Sequence, residues 1–329
     1  MKVGFPNREY QTVDLVFPNI IAANKNNNND YLVGSEALEK RFDYSVSAPF
    51  ELGKLKNKDC LSKVYDYIFK TQCKGDSHTH DIFMTEDFID SNSTRAEMAQ
   101  IMFENFEVPN LHYETPSSAS VYSVCRVNGL VVDIGDVFTR VLPIYYEKPD
   151  YNHSYKTLFG GADVFNVFKS LIQRNNYFNL DFGTIYDIIK KMCYVTQDVN
   201  KELEKEDKSF LKQYELPDKS KLNLAKETFL ATNVMFQPEN FVDITGKHQQ
   251  DGIPKIKVDT IKHCPIDTRE DLYDNIIITG GNTMYDVALS NRIYGAFHGC
   301  ATLADLSTTT YISKREYEEK GSAIYESKH

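Results

Sequence analysis

Four stretches of the chain place apolar residues at helical spacing. Leu61, Val64, Tyr65, Ile68 and Phe69 fall at i, i+3, i+4, i+7 and i+8, one face of a helix. Thr94 and Glu97 have capping-box spacing ahead of Met98, Ile101, Met102 and Phe106, which predicts a helix beginning there. Val164, Phe168, Leu171 and Ile172 make a third stripe, and Ile185, Ile188, Ile189 and Met192 a fourth. Apolar runs at residues 13–17, 130–132, 141–146 and 276–279 predict strands. The last runs into Gly280-Gly281 and then Asn282-Thr283-Met284-Tyr285, which reads as a helix start. Mixed strand and helix signals of this kind predict an α/β protein. Between them, Asn24-Lys25-Asn26-Asn27-Asn28-Asn29-Asp30 has nothing to bury and reads as a mobile loop. Residues 200–207 read as a solvated helix end or loop, and residues 245–256 as loop.

Composition narrows the class. A chain of 329 residues has room for two domains or one large α/β unit, and 41% hydrophobic residues can fill a sizeable core. Tyr (21) and Phe (20) supply the aromatic bulk in the absence of Trp. A formal net charge of −10 repels the phosphates of nucleic acid and anionic lipid, so neither is expected as a general partner. No apolar run approaches the roughly 20 residues that span a bilayer, and the opening MKVGFPNREY lacks a signal-peptide apolar stretch. Cysteines 60, 73, 125, 193, 264 and 300 form no CxxC pair, which points to free thiols in a reducing compartment. The expectation is a soluble intracellular protein.

Chemistry is suggested at several places, each with a plainer reading beside it. Asp133, Gly135 and Asp136 follow a predicted strand, where a carboxylate and a glycine can hold phosphates and a metal or simply form a hairpin turn. Backbone N–H groups at the Gly280-Gly281 turn can accept a phosphate, or the glycines can serve packing. Gly160-Gly161-Ala162-Asp163 precedes a helix, with Asp163 a candidate cap. His78-Thr79-His80 lacks an evident third ligand for a metal. His263 and Cys264 are adjacent, and adjacent side chains rarely face each other.

The order of several segments carries more. VFPNI (16–20), DYLVGSEALEKR (30–41), AQIMFENF (99–106), VVDIGD (131–136), YELPD (214–218), FQP (236–238), DLYDN with TGGNTMYD (271–286) and YISKREYEEKGSAI (311–324) resemble actin, in actin's order and near its spacing. The resemblance covers almost the whole chain and identifies it as a divergent actin or actin-related protein. It implies the actin-like, ribonuclease H-like duplicated α/β fold: two lobes around a nucleotide cleft, each with an inserted subdomain. The implied division is 1–18, 49–123 and 294–329 for the small-lobe base and 19–48 for its shortened insert. For the large lobe it is 124–159 and 249–293 for the base, with 160–248 as its insert.

The same comparison implies losses. Actin's first strand and first phosphate loop, Asp-Asn-Gly-Ser-Gly, precede the stretch that MKVGF resembles, and Lys2 matches the lysine that reaches the phosphates. Actin's second loop, Asp-Ser-Gly-Asp-Gly, is Asp133-Ile134-Gly135-Asp136-Val137 here. Its water-positioning glutamine matches Pro116 or Ser117, its catalytic-site histidine Arg140, and its base- and ribose-binding Lys-Glu pair Ile189-Lys190. A segment after Arg292 is absent, so part of the second lobe is missing. The implied nucleotide-binding remnant is Lys2, Asp133, Gly135, Asp136, Gly280, Gly281, Thr283 and Met284. Asp133 would orient Mg²⁺ through water, and the cofactor would be ATP or ADP with Mg²⁺, held weakly.

The loop by which actin grips its neighbour is shortened to the stretch between Pro18 and Asp30. Tyr122, Leu303, Leu306 and Thr308 match a groove that receives partner helices, or are simply core. The expected role is a structural, capping or regulatory subunit of the cytoplasmic cytoskeleton, with weak or absent ATP binding and hydrolysis. Its partners would be actin or actin-binding proteins. The alternatives are a conventional filament-forming actin with an incomplete gene model, and a decaying actin copy.

Overall fold

The computed structural model describes residues 1–5, 13–24, 27–51, 54–86, 92–174, 180–206, 211–248, 250–285, 310–321 and 324. The fold is mixed α/β with several sheets, as the sequence pattern predicts. It divides into two compact units, Met1–Cys125 with Ala296–His329, and Arg126–Gly295.

In the first unit the helix Lys58–Gln72 buries the predicted stripe of Leu61, Val64, Tyr65, Ile68 and Phe69, together with Cys60. Asn57 starts it by accepting the Cys60 N–H at 2.9 Å. Each fully buried aliphatic side chain on that face contributes about 1.5–3 kcal/mol of transfer free energy. The stripe packs with Met102, Phe103 and Leu111, all nearly inaccessible, into the core of this unit. Leu111 lies in the strand Asn110–Glu114, which pairs in parallel with Ile82–Thr85 and antiparallel with Ile312–Ser313. After Ser313 a capping box with Glu316 opens the helix Lys314–Lys320.

Three expectations are corrected. The helix predicted from Thr94 begins at Asn92, so Thr94 lies inside it; after Gln100 the backbone widens into a π turn over Ile101–Asn105. Most of the asparagine tract is not loop. Asn27–Val33 is a strand, antiparallel to Ile21–Asn24, because backbone ladder bonds need no apolar side chain once the flanking Tyr31, Leu32 and Val33 are paired. Residues 253–256 belong to the helix Ile253–His263, which starts at Gly252 with Pro254 in its first turn, where the missing N–H costs nothing.

The second unit is built on a sheet ordered Lys148–Pro149, Thr139–Tyr145, Gly129–Ile134, Ile276–Thr279, with Tyr155–Thr157 also paired to Thr139–Tyr145. Gly129–Ile134 is buried on both faces, which is why it reads as an unbroken apolar run. Leu130, Val132 and Ile134 meet Val164, Phe168 and Ile172 of the helix Gly161–Arg174 and Ile185, Ile188 and Ile189 of the helix Phe182–Met192. Within 200–207, the helix Val199–Leu203 ends as predicted. This arrangement brings the strand end at Asp133, the turn at Gly160 and the turn at Gly280 to one place. Among the described residues no helix is long and apolar enough to cross a membrane.

Candidate functional site

Residues 135–138 form a tight hairpin between Gly129–Ile134 and Thr139–Tyr145, closed by the Gly135 N–H donating to the Phe138 carbonyl at 2.8 Å. Ile134 turns into the core and is 6% exposed. Two glycine turns press against this hairpin. A Cβ on Gly160 would lie 2.5 Å from the Asp136 carbonyl oxygen and 2.6 Å from that of Gly135. Only glycine allows that approach. It lets the Gly161 N–H donate to the Gly135 carbonyl at 3.1 Å and the Ala162 N–H to the Asp136 carbonyl at 2.8 Å. Gly280 has φ of 101°, and a Cβ there would lie 2.3 Å from the Ile134 carbonyl oxygen, so both conformation and space require glycine. Just beyond it, Asn282 donates Nδ2–H to the Gly135 carbonyl at 2.7 Å and accepts the Tyr285 hydroxyl at 3.1 Å.

The Gly135, Gly161 and Ala162 N–H groups and the Asn282 amide are therefore bonded within the protein. The first N–H groups of the helix Gly161–Arg174 go to hairpin carbonyls rather than outward to an anion. Asp163, 2% exposed, accepts the Gly160 N–H at 3.0 Å. Both of its oxygens also hold Lys247 Nζ, at 2.6 and 2.7 Å. Lys247 donates further to the Leu158 carbonyl and lies over the Phe159 ring.

Charge is concentrated at the strand end. Arg140 stands opposite Asp133 in the antiparallel register, with Nη1 4.0 Å from Asp133 Oδ2. The two side chains are only 13% and 14% exposed. Burial lowers the Arg140 guanidinium to about 10, which leaves it fully charged at neutral pH. Asp136 reaches solvent at the hairpin tip, yet the protein packed around it and the charge of Asp163 push its carboxyl pKa up. Burial likewise raises the hydroxyls of Tyr186 and Tyr285, and Asp136 adds to both shifts.

Asp133, Gly135, Asp136, Gly280 and Thr283 are thus brought together. Thr283 donates its hydroxyl to the Gly280 carbonyl at 2.8 Å. A Cβ on Gly281 would meet nothing within 4 Å, and Met284 is 40% exposed. Lys2 belongs to the other unit, in a strand paired with Leu15–Val16. Tyr122, half-buried, ends the helix Pro116–Tyr122 in that same unit. Leu303, Leu306 and Thr308, like Arg292, lie outside the described residues. Pro116 occupies the first turn of its helix, after the Thr115 cap on the Ser118 N–H, and Ser117 is buried. Ile189 is core, whereas Lys190 is exposed.

The other candidates separate. His263 Nδ1 bonds the Asp259 carbonyl and Cys264 Sγ the Thr260 carbonyl, so each is engaged with its own helix rather than with the other. Burial raises the Cys264 thiol, away from nucleophile chemistry. Among the described residues no three His, Cys, Asp or Glu side chains converge to hold a metal, at His78 and His80 or elsewhere. Cys60, Cys73, Cys125, Cys193 and Cys264 are free thiols. Sequence reasoning missed Lys247 and Asn282. Lys247 lies in a polar stretch with no local signal, and Asn282 reads only as a helix start. A family model described as actin matches residues 1–288.

Proposed function

The chain belongs to the actin family, and on that premise we propose that it is a structural actin-like subunit, one that caps, scaffolds or regulates rather than hydrolyses ATP. Members of the family typically bind ATP or ADP with Mg²⁺ and work with actin-binding proteins. The observation that carries the reading is the closure of the Asp133–Phe138 hairpin by its own chain. Phosphoryl hydrolysis needs a positioned water and donors clamped on the phosphates. Here the Gly135 N–H, the helix N–H groups of Gly161 and Ala162, and the Lys247 ammonium are all bonded internally. Ile134 has taken its side chain into the core, where it offers no hydroxyl to a phosphate. Of the two positions that match the water-positioning glutamine, Pro116 has no group with which to orient water and Ser117 is buried.

A triphosphate held in the family manner does not fit this hairpin. Nucleotide binding is weakened, and what remains rests on groups away from the hairpin. The protein acts in the cytoplasm, on the actin cytoskeleton, with actin or an actin-binding protein as its partner. Tyr122, Leu303, Leu306 and Thr308 are the positions that the family resemblance assigns to partner binding.

The test is phosphate release from Mg²⁺–ATP, alongside sedimentation in polymerising salt with and without actin. Background phosphate release, no pelleting of the chain alone, and altered actin assembly that is lost in Leu306→Asp are expected. Turnover comparable to conventional actin and abolished by Asp133→Asn, or ordered filaments of the chain alone, overturns the reading.

A further inference from the structure

Four side chains form a row across the large sheet of the second unit. The ladder sets Thr279 beside Asp133, Asp133 opposite Arg140, and Arg140 opposite Lys156. Residues paired in this way project from the same face. The row therefore holds one carboxylate and two cations. Arg140 Nη1 is 4.0 Å from Asp133 Oδ2, with both side chains largely out of water. The Phe138 ring lies under both cations, 5.7 Å from the Arg140 guanidinium carbon and 4.0 Å from Lys156 Nζ.

We infer that Arg140 occupies the place of a divalent cation at Asp133, so that the hairpin excludes Mg²⁺ and any nucleotide the chain binds is bound without regard to metal. The inference rests on the reading of the hairpin given above and extends it from hydrolysis to metal. A divalent ion at Asp133 would meet a guanidinium already adjoining the carboxylate, with Lys156 next in the row. Like charges at such separations repel strongly when water is largely excluded. The carboxylate would also have to be drawn from a partner with which it is buried, and removing a partner from a buried pair is costly. A neutral residue at position 140 lifts both obstacles.

The probe is Mn²⁺, followed by electron paramagnetic resonance of the free ion during titration of the purified full chain, with and without ATP. Thermal unfolding is measured in Mg²⁺ and in EDTA. Without ATP, wild type should leave Mn²⁺ free to millimolar concentration; with ATP, it should deplete no more Mn²⁺ than ATP alone does; and its Tm should differ by less than about 1 °C between Mg²⁺ and EDTA. ATP affinity, where measurable, should change less than twofold on chelation. Arg140→Gln should gain one Mn²⁺ site, at least tenfold tighter than any in wild type, and Asp133→Asn in that background should remove it. Arg140→Lys keeps the cation and should gain no site.

Stoichiometric micromolar Mn²⁺ binding to wild type, lost in Asp133→Asn, overturns the inference even if Arg140→Gln fails to fold. A folded Arg140→Gln without a site overturns it as well. Metal binding without phosphate release sinks this inference alone. Phosphate release that persists in EDTA sinks the earlier reading alone.

Discussion

Lys247→Met should loosen the start of the helix Gly161–Arg174 more than any surface charge change of similar size. In the folded protein the ammonium lies 2.6 and 2.7 Å from the two oxygens of Asp163. At an effective dielectric of about 20, unit charges at that distance attract by roughly 6 kcal/mol, before desolvation is subtracted. Asp163 is 2% exposed, so with Lys247 in place its carboxylate has almost no contact with bulk water. Breaking a buried pair by removing one partner costs about 3–5 kcal/mol. The lysine side chain is 32% exposed, so solvent can enter where it leaves, which favours the lower end, near 3 kcal/mol. For a cooperative unit of this size that is a fall in Tm of about 6–12 °C. Asp163→Asn should cost less, because a neutral amide tolerates the site. The double variant should lie within about 1 kcal/mol of Asp163→Asn, giving a coupling of about 2 kcal/mol or more. Calorimetry of the four proteins supplies the cycle, and hydrogen exchange at Gly161 and Ala162 reports whether the loss is local. Lys247→Met within 0.5 kcal/mol of wild type, or additive with Asp163→Asn, would refute the reasoning.

Three further outcomes follow from the same geometry. Gly160→Ala should destabilise by about 1–3 kcal/mol, since its Cβ meets backbone, whereas Gly281→Ala, with open space, should stay within about 0.5 kcal/mol; thermal unfolding separates them. The folded pKa of Asp136 is raised, so stability linked to its proton is fully present below the unfolded value near ~3.9 and is lost as pH rises through the folded value. Asp136→Asn should therefore raise Tm at pH 7 and leave it unchanged at pH 3, and equal shifts at both would contradict this. Cys125, exposed, should react with maleimide within minutes at neutral pH, while Cys193 and Cys264, buried and with thiols pushed up, should label only on unfolding, as mass spectrometry of timed samples will read.

Helices were legible where a long apolar stripe met a single core. Leu61 to Phe69 announce their helix because each fourth side chain must find the same core of Met102, Phe103 and Leu111. Boundaries were less legible. Thr94 and Glu97 satisfy a capping pattern, but Asn92 already begins the helix, because local caps compete with packing that extends an element. The asparagine tract misled for a related reason: composition speaks to what can be buried, while a hairpin strand is held by backbone bonds. At the site, a carboxylate and glycine after an apolar run located the strand end at Asp133. The partners that close it were invisible. Lys247 reaches Asp163 across 84 residues and Asn282 reaches Gly135 across 147, and nothing local marks either approach.

The asparagine hairpin has a consequence for how this gene can drift. The side of the hairpin nearer the core is pinned: Tyr31, Leu32 and Val33 pair with Ala23, Ala22 and Ile21, and the Tyr31 hydroxyl reaches Asp66 at 3.1 Å. The register already slips at Ala23/Asn24, before the repeat begins. A one-residue slip elsewhere in a sheet would turn buried side chains outward. In this tract it exchanges one asparagine for another. Lengthening or shortening the repeat should therefore disturb the Asn24–Asp30 contact at 2.9 Å and leave the pinned pairing of Tyr31, Leu32 and Val33 in place.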